Sequence, residues 1–292
     1  MSADASSAAA ARAPDAAVLG CPVPGVCQRG PFRLERLRVS VLEGTKAYSA
    51  EVTAGAEAYW EAQLQLKPKL FDGPVWCLAS WEPCPHEADP ALQLSLQRSS
   101  YKYILYTHNS PEGLQLQPSA RSGAVGIMAL TETSDGLIVF GQRSSKLGAM
   151  PNYWHCVPAG QLDEPDAQKV IQKELKEELD LGWDVVEESQ LLGIVSCGEE
   201  QGDKYEFACL LRLRVTAAEL YERYTSAEDQ AEHQALLFVE APGAASAEAR
   251  SRRVLGEPDV PVETLEAYVS SYLVTEVARR ALLLLSDMRT GQ

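Results

Sequence analysis

The run Lys173-Glu174-Leu175-Lys176-Glu177-Glu178-Leu179, a short distance after Pro158-Ala159-Gly160, constrains this chain more than any other stretch. A helix turns about 100° per residue, so acids at i, i+3 and i+4 share one face. Leu175 and Leu179 fall to one side of that face, where they can anchor the helix in a core. Three neighbouring carboxylates suit one of two settings. The face is wet, or it is a multidentate oxygen site for a hard cation such as Mg²⁺, which prefers carboxylates, waters and phosphate oxygens.

The bulk numbers narrow the choice. With 292 residues, 46% hydrophobic and 23% charged, the chain has the make-up of a soluble globular protein of one large or two ordinary domains. The net charge is −15 and no Lys/Arg-rich cluster stands out, which argues against nucleic acid or an anionic membrane as partner. An acidic protein that handles phosphates must recruit metal ions or a few local cations. The seven cysteines are scattered without a CxxC pair, so reduced thiols in an intracellular compartment are expected, with no zinc site. No apolar stretch approaches a membrane span. The first thirty residues are rich in Ala and Ser but lack the apolar core of a secretory signal. Asp4 and Asp15 argue against an organellar transit peptide. A disordered tail and a cytoplasmic location are the expectation.

Periodicity supplies the organisation. Residues 32–42 alternate as a strand, and 47–67 read as a helix bounded by Pro68. Short strands are expected at 75–79, 92–96 and 101–107. The segments 124–130 and 136–142 form a hairpin around Ser134-Asp135-Gly136. A helix over 165–179 follows, then strands at 191–197 and 205–215, a helix from Thr216 to Tyr224, and a strand at 236–240. A final helix covers 262–288, with Val269 and Leu273 on its buried side, and 241–249 and 256–261 read as loops. The class is α/β, a mixed sheet flanked by helices. Residues 1–30 are the tail, 31–120 an N-terminal α+β extension, and 121–288 the main domain with the C-terminal helix.

In this setting Lys173–Leu181 resembles the second half of the Nudix hydrolase signature, G-x5-E-x7-R-E-U-x-E-E-x-G-U, where U is aliphatic. Glu174, Glu177 and Glu178 match its three carboxylates, and Leu175 and Leu181 its aliphatic positions. Lys173 replaces the arginine, keeping the charge without the bidentate fork. Asp180 replaces the closing glycine, and Ala159 one glycine of the usual entry. The loop from Gly160 is one residue short, so the first glutamate maps ambiguously to Glu164, Pro165 or Asp166. The UDP-glucose/UDP-galactose diphosphatase branch resembles the chain more widely. Its likeness takes in Leu70–Pro74, Ser100-Tyr101, Thr107–Asn109, Gly136–Ser144, Leu191–Ile194, Glu206-Phe207 and Phe238–Glu240, and so spans roughly residues 35–285.

The resemblance implies a Nudix-type α/β/α sandwich and Mg²⁺-assisted hydrolysis, with Mn²⁺ as a substitute, of a nucleoside diphosphate-linked small molecule. Glu174, Glu177 and Glu178 would be the metal ligands, with Glu177 and Glu178 central to catalysis. Glu178, Glu206 or Glu232 would deprotonate the attacking water. Arg143, Lys173 and Gly160 fall on the substrate side. Lys173 would also steady a neighbouring carboxylate, and Arg143 would bind a phosphate or serve as a surface ion-pair partner. His155 and His233 have no ligand partner at metal spacing. The departures in the signature leave a second reading, a catalytically silent module that binds a nucleotide or a protein.

Overall fold

Every side chain of the strand β5 (Val125–Glu132) is buried, and that decides the architecture. Val125, Ile127 and Ala129 enter one core, while Met128 and Leu130 enter another. A strand buried on both sides needs a layer over each face. On the first face lie α4 (Ala167–Leu179) and α5 (Ala217–Tyr224), with Val170, Ile171, Leu175 and Leu179 of α4 inside. On the second lies α7 (Glu276–Thr290), inserting Val277, Ala281 and Leu285. Leu175 and Leu179 are fully buried, each stabilising by roughly 2 kcal/mol, so the helix that carries the acids is firmly seated. The expected α/β/α sandwich with a mixed sheet is the fold observed.

The computed structural model describes residues 25–84, 90–147, 149–198, 201–202, 204–242 and 262–291. The large sheet has the order β1 (Val26–Arg33), β9 (Val186–Ser196), β10 (Tyr205–Leu213), β5, β6 (Leu137–Arg143), β11 (His233–Glu240) and β12 (Val262–Glu263). The pairs β10–β5 and β11–β12 are parallel and the other neighbours antiparallel. β5 and β6 pair only at Thr131–Val139 and Glu132–Ile138. Beyond that point they fork: β7 (Trp154–Cys156) pairs with β6, and β8 (Ala159–Gln161) with β5. A three-stranded sheet precedes this one, with β4 (Ala91–Ser100) between β2 (Leu37–Thr45) and β3 (Pro74–Cys84). It is joined by α1 (Ala50–Leu66), α2 (Tyr101–Asn109) and the single turn α3 (Pro111–Leu114). Leu92, Leu94 and Leu96 of β4 pack into the same core as α4.

Several expectations are corrected. Residues 101–107 are helix α2 rather than a strand. Tyr101 donates its N–H to the Gly73 carbonyl at 3.0 Å and Lys102 to Asp72 Oδ1 at 2.9 Å, which caps the first turn from outside. Gly55 of α1 lets Tyr106 approach closely, since a Cβ there would lie 2.4 Å from its hydroxyl. The final helix is two, α6 (Leu265–Ser271) and α7, because residues 272–275 are drawn out as a strand-like partner of β7. Trp154 N–H reaches Leu273 O at 2.7 Å and Thr275 N–H reaches Trp154 O at 3.0 Å. Val269 and Leu273 are exposed as a result, at 37% and 63%. The strand expected at 32–42 is broken by a 3-10 turn at Leu34–Arg36, and its first part is β1. That strand pairs with β9 in the large sheet, so a boundary at residue 31 cuts through an element of the main sheet. Residues 1–24 of the expected tail, and nearly all of the loops expected at 241–249 and 256–261, lie outside the described residues. Cys77, Cys84, Cys156, Cys197 and Cys209 are free thiols. No described helix is long and apolar enough to cross a membrane.

Candidate active site

Helix α4 is fixed at both ends by aspartates. Asp166 is its N-cap, accepting the N–H groups of Gln168 at 3.1 Å and Lys169 at 3.2 Å. Of the residues that could stand for the first signature glutamate, Asp166 is therefore occupied in starting the helix. Asp180 closes it in the left-handed conformation, φ 54°. Aspartate tolerates that region better than most residues, and Lys176 pairs with its carboxylate. The cap that a glycine would form thus survives the substitution.

The chain segment after Pro158 aims the acids. It forms β8, whose Ala159 N–H donates to Glu178 Oε1 at 3.0 Å. Gly160 lies directly against Glu174: a Cβ there would sit 2.3 Å from its Oε1. Glu178 is buried, and its second oxygen, Oε2, has no hydrogen-bond partner. Burial pushes the Glu178 carboxyl well above its ordinary range, and Glu174 and Glu232 push it further. Burial likewise raises Glu174 to about 7, with Glu177, Asp163 and Glu232 adding to the effect against the charge of Lys173. Lys173 Nζ lies 2.9 Å from Asp163, 3.7 Å from Glu174 and 3.9 Å from Glu177. One ammonium therefore serves three acids.

The loop before β11 closes the site from the other side. Asp229 N–H donates to the Glu177 carbonyl at 2.9 Å, and Ser144 N–H to the Glu232 carbonyl at 2.7 Å. Glu232 stands at the exposed rim, and the surrounding protein and Asp229 raise its pKa against Arg143. Arg143, at the end of β6, spends its Nε on Ala149 O at 3.0 Å. Its guanidinium feels the charges of Glu232, Glu178 and Glu206, in that order, although burial lowers its pKa overall. Glu174, Glu177, Glu178, Glu232, Lys173, Gly160 and Arg143 thus come together.

Glu206 stands apart. Its neighbour Phe207 packs toward α4, so alternation along β10 turns Glu206 to the opposite face. There Lys204 Nζ pairs with it at 2.8 Å and Cys197 donates its thiol at 3.7 Å. Of the three candidate bases, Glu178 and Glu232 share the acid cluster and Glu206 has its own cation.

Sequence reasoning passed over His233. Its Nε2 lies 3.6 Å from Glu178 Oε2, and its own Nδ1 is buried without a partner. Burial lowers the imidazole to about 4 and pushes the Glu178 carboxyl in the opposite direction. The only sequence signal was Gly141 inside a strand, whose missing side chain makes room for the ring. An open cavity of about 490 Å³ lies between α5 and β11, lined by Tyr221, Tyr224, His233 and Leu236 among others. That volume falls in the range of small-molecule sites.

Among the described residues no three His, Cys, Asp or Glu side chains converge on one point as metal ligands. The donor set nevertheless fits a hard divalent cation: all oxygen, partly desolvated, with an orphaned buried oxygen on Glu178 and carboxyls whose pKa burial raises first and neighbouring acids raise further.

No family model matches the chain. Among curated proteins, the uridine diphosphate glucose pyrophosphatase NUDT22 of Mus musculus is 27% identical, the match covering 63% of this chain and 69% of that protein. Solved structures with some likeness include a MutT NUDIX hydrolase from Burkholderia pseudomallei, 17% identical over 56% of this chain and 97% of that one, at a TM-score of 0.34. Another is the MutT protein from Methanosarcina mazei Go1, 12% identical over 58% and 96%, at 0.33.

Proposed function

We propose that this chain, whose signature resembles that of the Nudix hydrolases and which has a sequence relative in a uridine diphosphate glucose pyrophosphatase, is a pyrophosphohydrolase acting on a nucleoside diphosphate derivative. The substrate class we infer is a nucleotide sugar, cleaved to a nucleoside monophosphate and a sugar phosphate, with Mg²⁺ as the metal. The observation that carries the reading is the set of under-compensated acids on α4, aimed by the backbone of β8.

Glu174, Glu177 and Glu178 would hold the metal. When bound, it would neutralise the diphosphate and the charge that develops as water attacks phosphorus. The chain's own groups do the rest. Ala159 N–H fixes one oxygen of Glu178, and Lys173 keeps Glu174 and Glu177 from repelling each other apart. Glu232, at the rim and with a raised pKa, is suited to take the proton of the attacking water. Arg143, engaged through Nε alone among the described residues, can turn its terminal amines to a phosphate. A second reading, a nucleotide-binding module without turnover, rests on the departures from the signature at Ala159, Lys173 and Asp180.

One assay separates them. UDP-glucose and related nucleotide sugars are incubated with the protein and Mg²⁺, and monophosphate release is followed. Turnover that chelator abolishes and Mg²⁺ restores is the expected result. Nucleotide binding without turnover, indifferent to Mg²⁺, would leave the silent module as the better account.

A further inference from the structure

We propose that His233 is a positioning residue for Glu178, holding the carboxylate oxygen that the backbone does not hold. The inference rests on the reading of Glu178 as a metal ligand. Glu178 has two oxygens: Oε1 accepts Ala159 N–H, and Oε2 is buried without a partner. The polar atom facing Oε2 is His233 Nε2, at 3.6 Å. That is just past hydrogen-bond length, and holding Oε2 requires the two atoms to close to contact. With the hydrogen on Nε2, the imidazole donates to the carboxylate oxygen.

The surroundings are built to keep the ring there. Gly141 supplies the notch: a Cβ at that position would lie 2.2 Å from His233 Cδ2 and 2.7 Å from Nε2. Tyr224 donates its hydroxyl toward the His233 carbonyl at 3.2 Å and the Gln230 carbonyl at 3.3 Å, which ties the start of β11 to α5. Both side chains are almost wholly buried, at 4% for His233 and 3% for Glu178. A core serving stability alone would fill this space with apolar groups, because two buried polar atoms without partners are costly. A carboxylate oriented at both oxygens keeps its remaining lone pairs fixed toward a cation. Partners of that kind typically change metal affinity or activity 10- to 100-fold.

Mn²⁺ binding provides the test, read by the paramagnetic signal of free Mn²⁺ and, separately, by thermal shift, neither of which needs turnover. His233→Phe fills the notch without a donor and is expected to weaken Mn²⁺ binding about tenfold. His233→Gln, whose amide N–H reaches the position of Nε2, is expected to recover most of that loss. Gly141→Ala, which displaces the ring and keeps the imidazole, should fall between them. Unchanged Mn²⁺ affinity in folded His233→Phe overturns the inference and leaves the proposed function standing. So does a Gln variant no better than Phe. A wild-type protein that binds no Mn²⁺ overturns both.

Discussion

Two glutamates of this sandwich are buried to a similar degree and treated in opposite ways. Glu132, at the far end of β5, is 9% exposed and meets Arg289 Nη2 through both oxygens, at 2.6 and 2.5 Å, and Arg212 Nε at 3.2 Å. Arg212 also pairs with Glu188. Glu178 is 2% exposed and has one backbone N–H, an orphaned oxygen and acidic neighbours. Burial by itself therefore says little about role. The partners do: the first glutamate is compensated and ties the C-terminal helix α7 to the sheet, while the second is left short of positive charge at a place where a cation can arrive.

Breaking the compensated site should cost the most stability. Glu132→Gln leaves Arg289 without a carboxylate and Arg212 with Glu188 alone, and is expected to destabilise by about 3 kcal/mol, toward the lower end for a buried pair because Arg212 is partly solvated. Urea unfolding would measure it. A loss below about 1 kcal/mol would show that the arginines find other partners and would erase half of the contrast. The same substitution at Glu178 should behave in reverse. Glu178→Gln removes an unpaired acid, so the melting temperature should hold or rise. Metal-dependent kcat/KM should fall roughly 100-fold, which is about 2.7 kcal/mol of transition-state stabilisation. A marked drop in melting temperature with activity retained would make Glu178 a structural residue.

A smaller effect concerns pH. The folded pKa of Glu174, about 7, lies above its ordinary value of 4.5. Its contribution to metal-free stability is therefore fully present below about pH 4.5 and is lost as pH rises through 7. Metal binding must displace that proton. The melting-temperature gain from Mg²⁺ should then be larger at pH 8 than at pH 6, with proton release on binding near pH 7. A gain independent of pH over this range would remove Glu174 from the ligand set.

Much of the fold was legible. The amphipathic pattern of 167–179, the capping Thr216 of α5 and the turn at Gly136 are local signals, and each element lies within a few residues of its expected place. The errors arose where distant groups overrode local pattern. The short apolar run Tyr103–Tyr106 fits strand or helix alike, and the Asp72 carboxylate tips the choice to helix. The apparent single C-terminal helix gave way because β7 needed backbone partners.

The site divides in the same way. Spacing alone put three carboxylates on one helical face and two leucines beside it, since the turn of a helix is fixed by backbone geometry. It could not tell that Ala159, standing where the family has glycine, still offers its N–H to Glu178. Nor could it tell that Asp180 takes up the left-handed cap, that Glu206 already has Lys204, or that His233 reaches the box from a strand more than fifty residues on. Those depend on which strands fork and which faces they present, and only tertiary packing decides that. The sequence by itself determined which acids are available; the fold decided which of them remain without a partner.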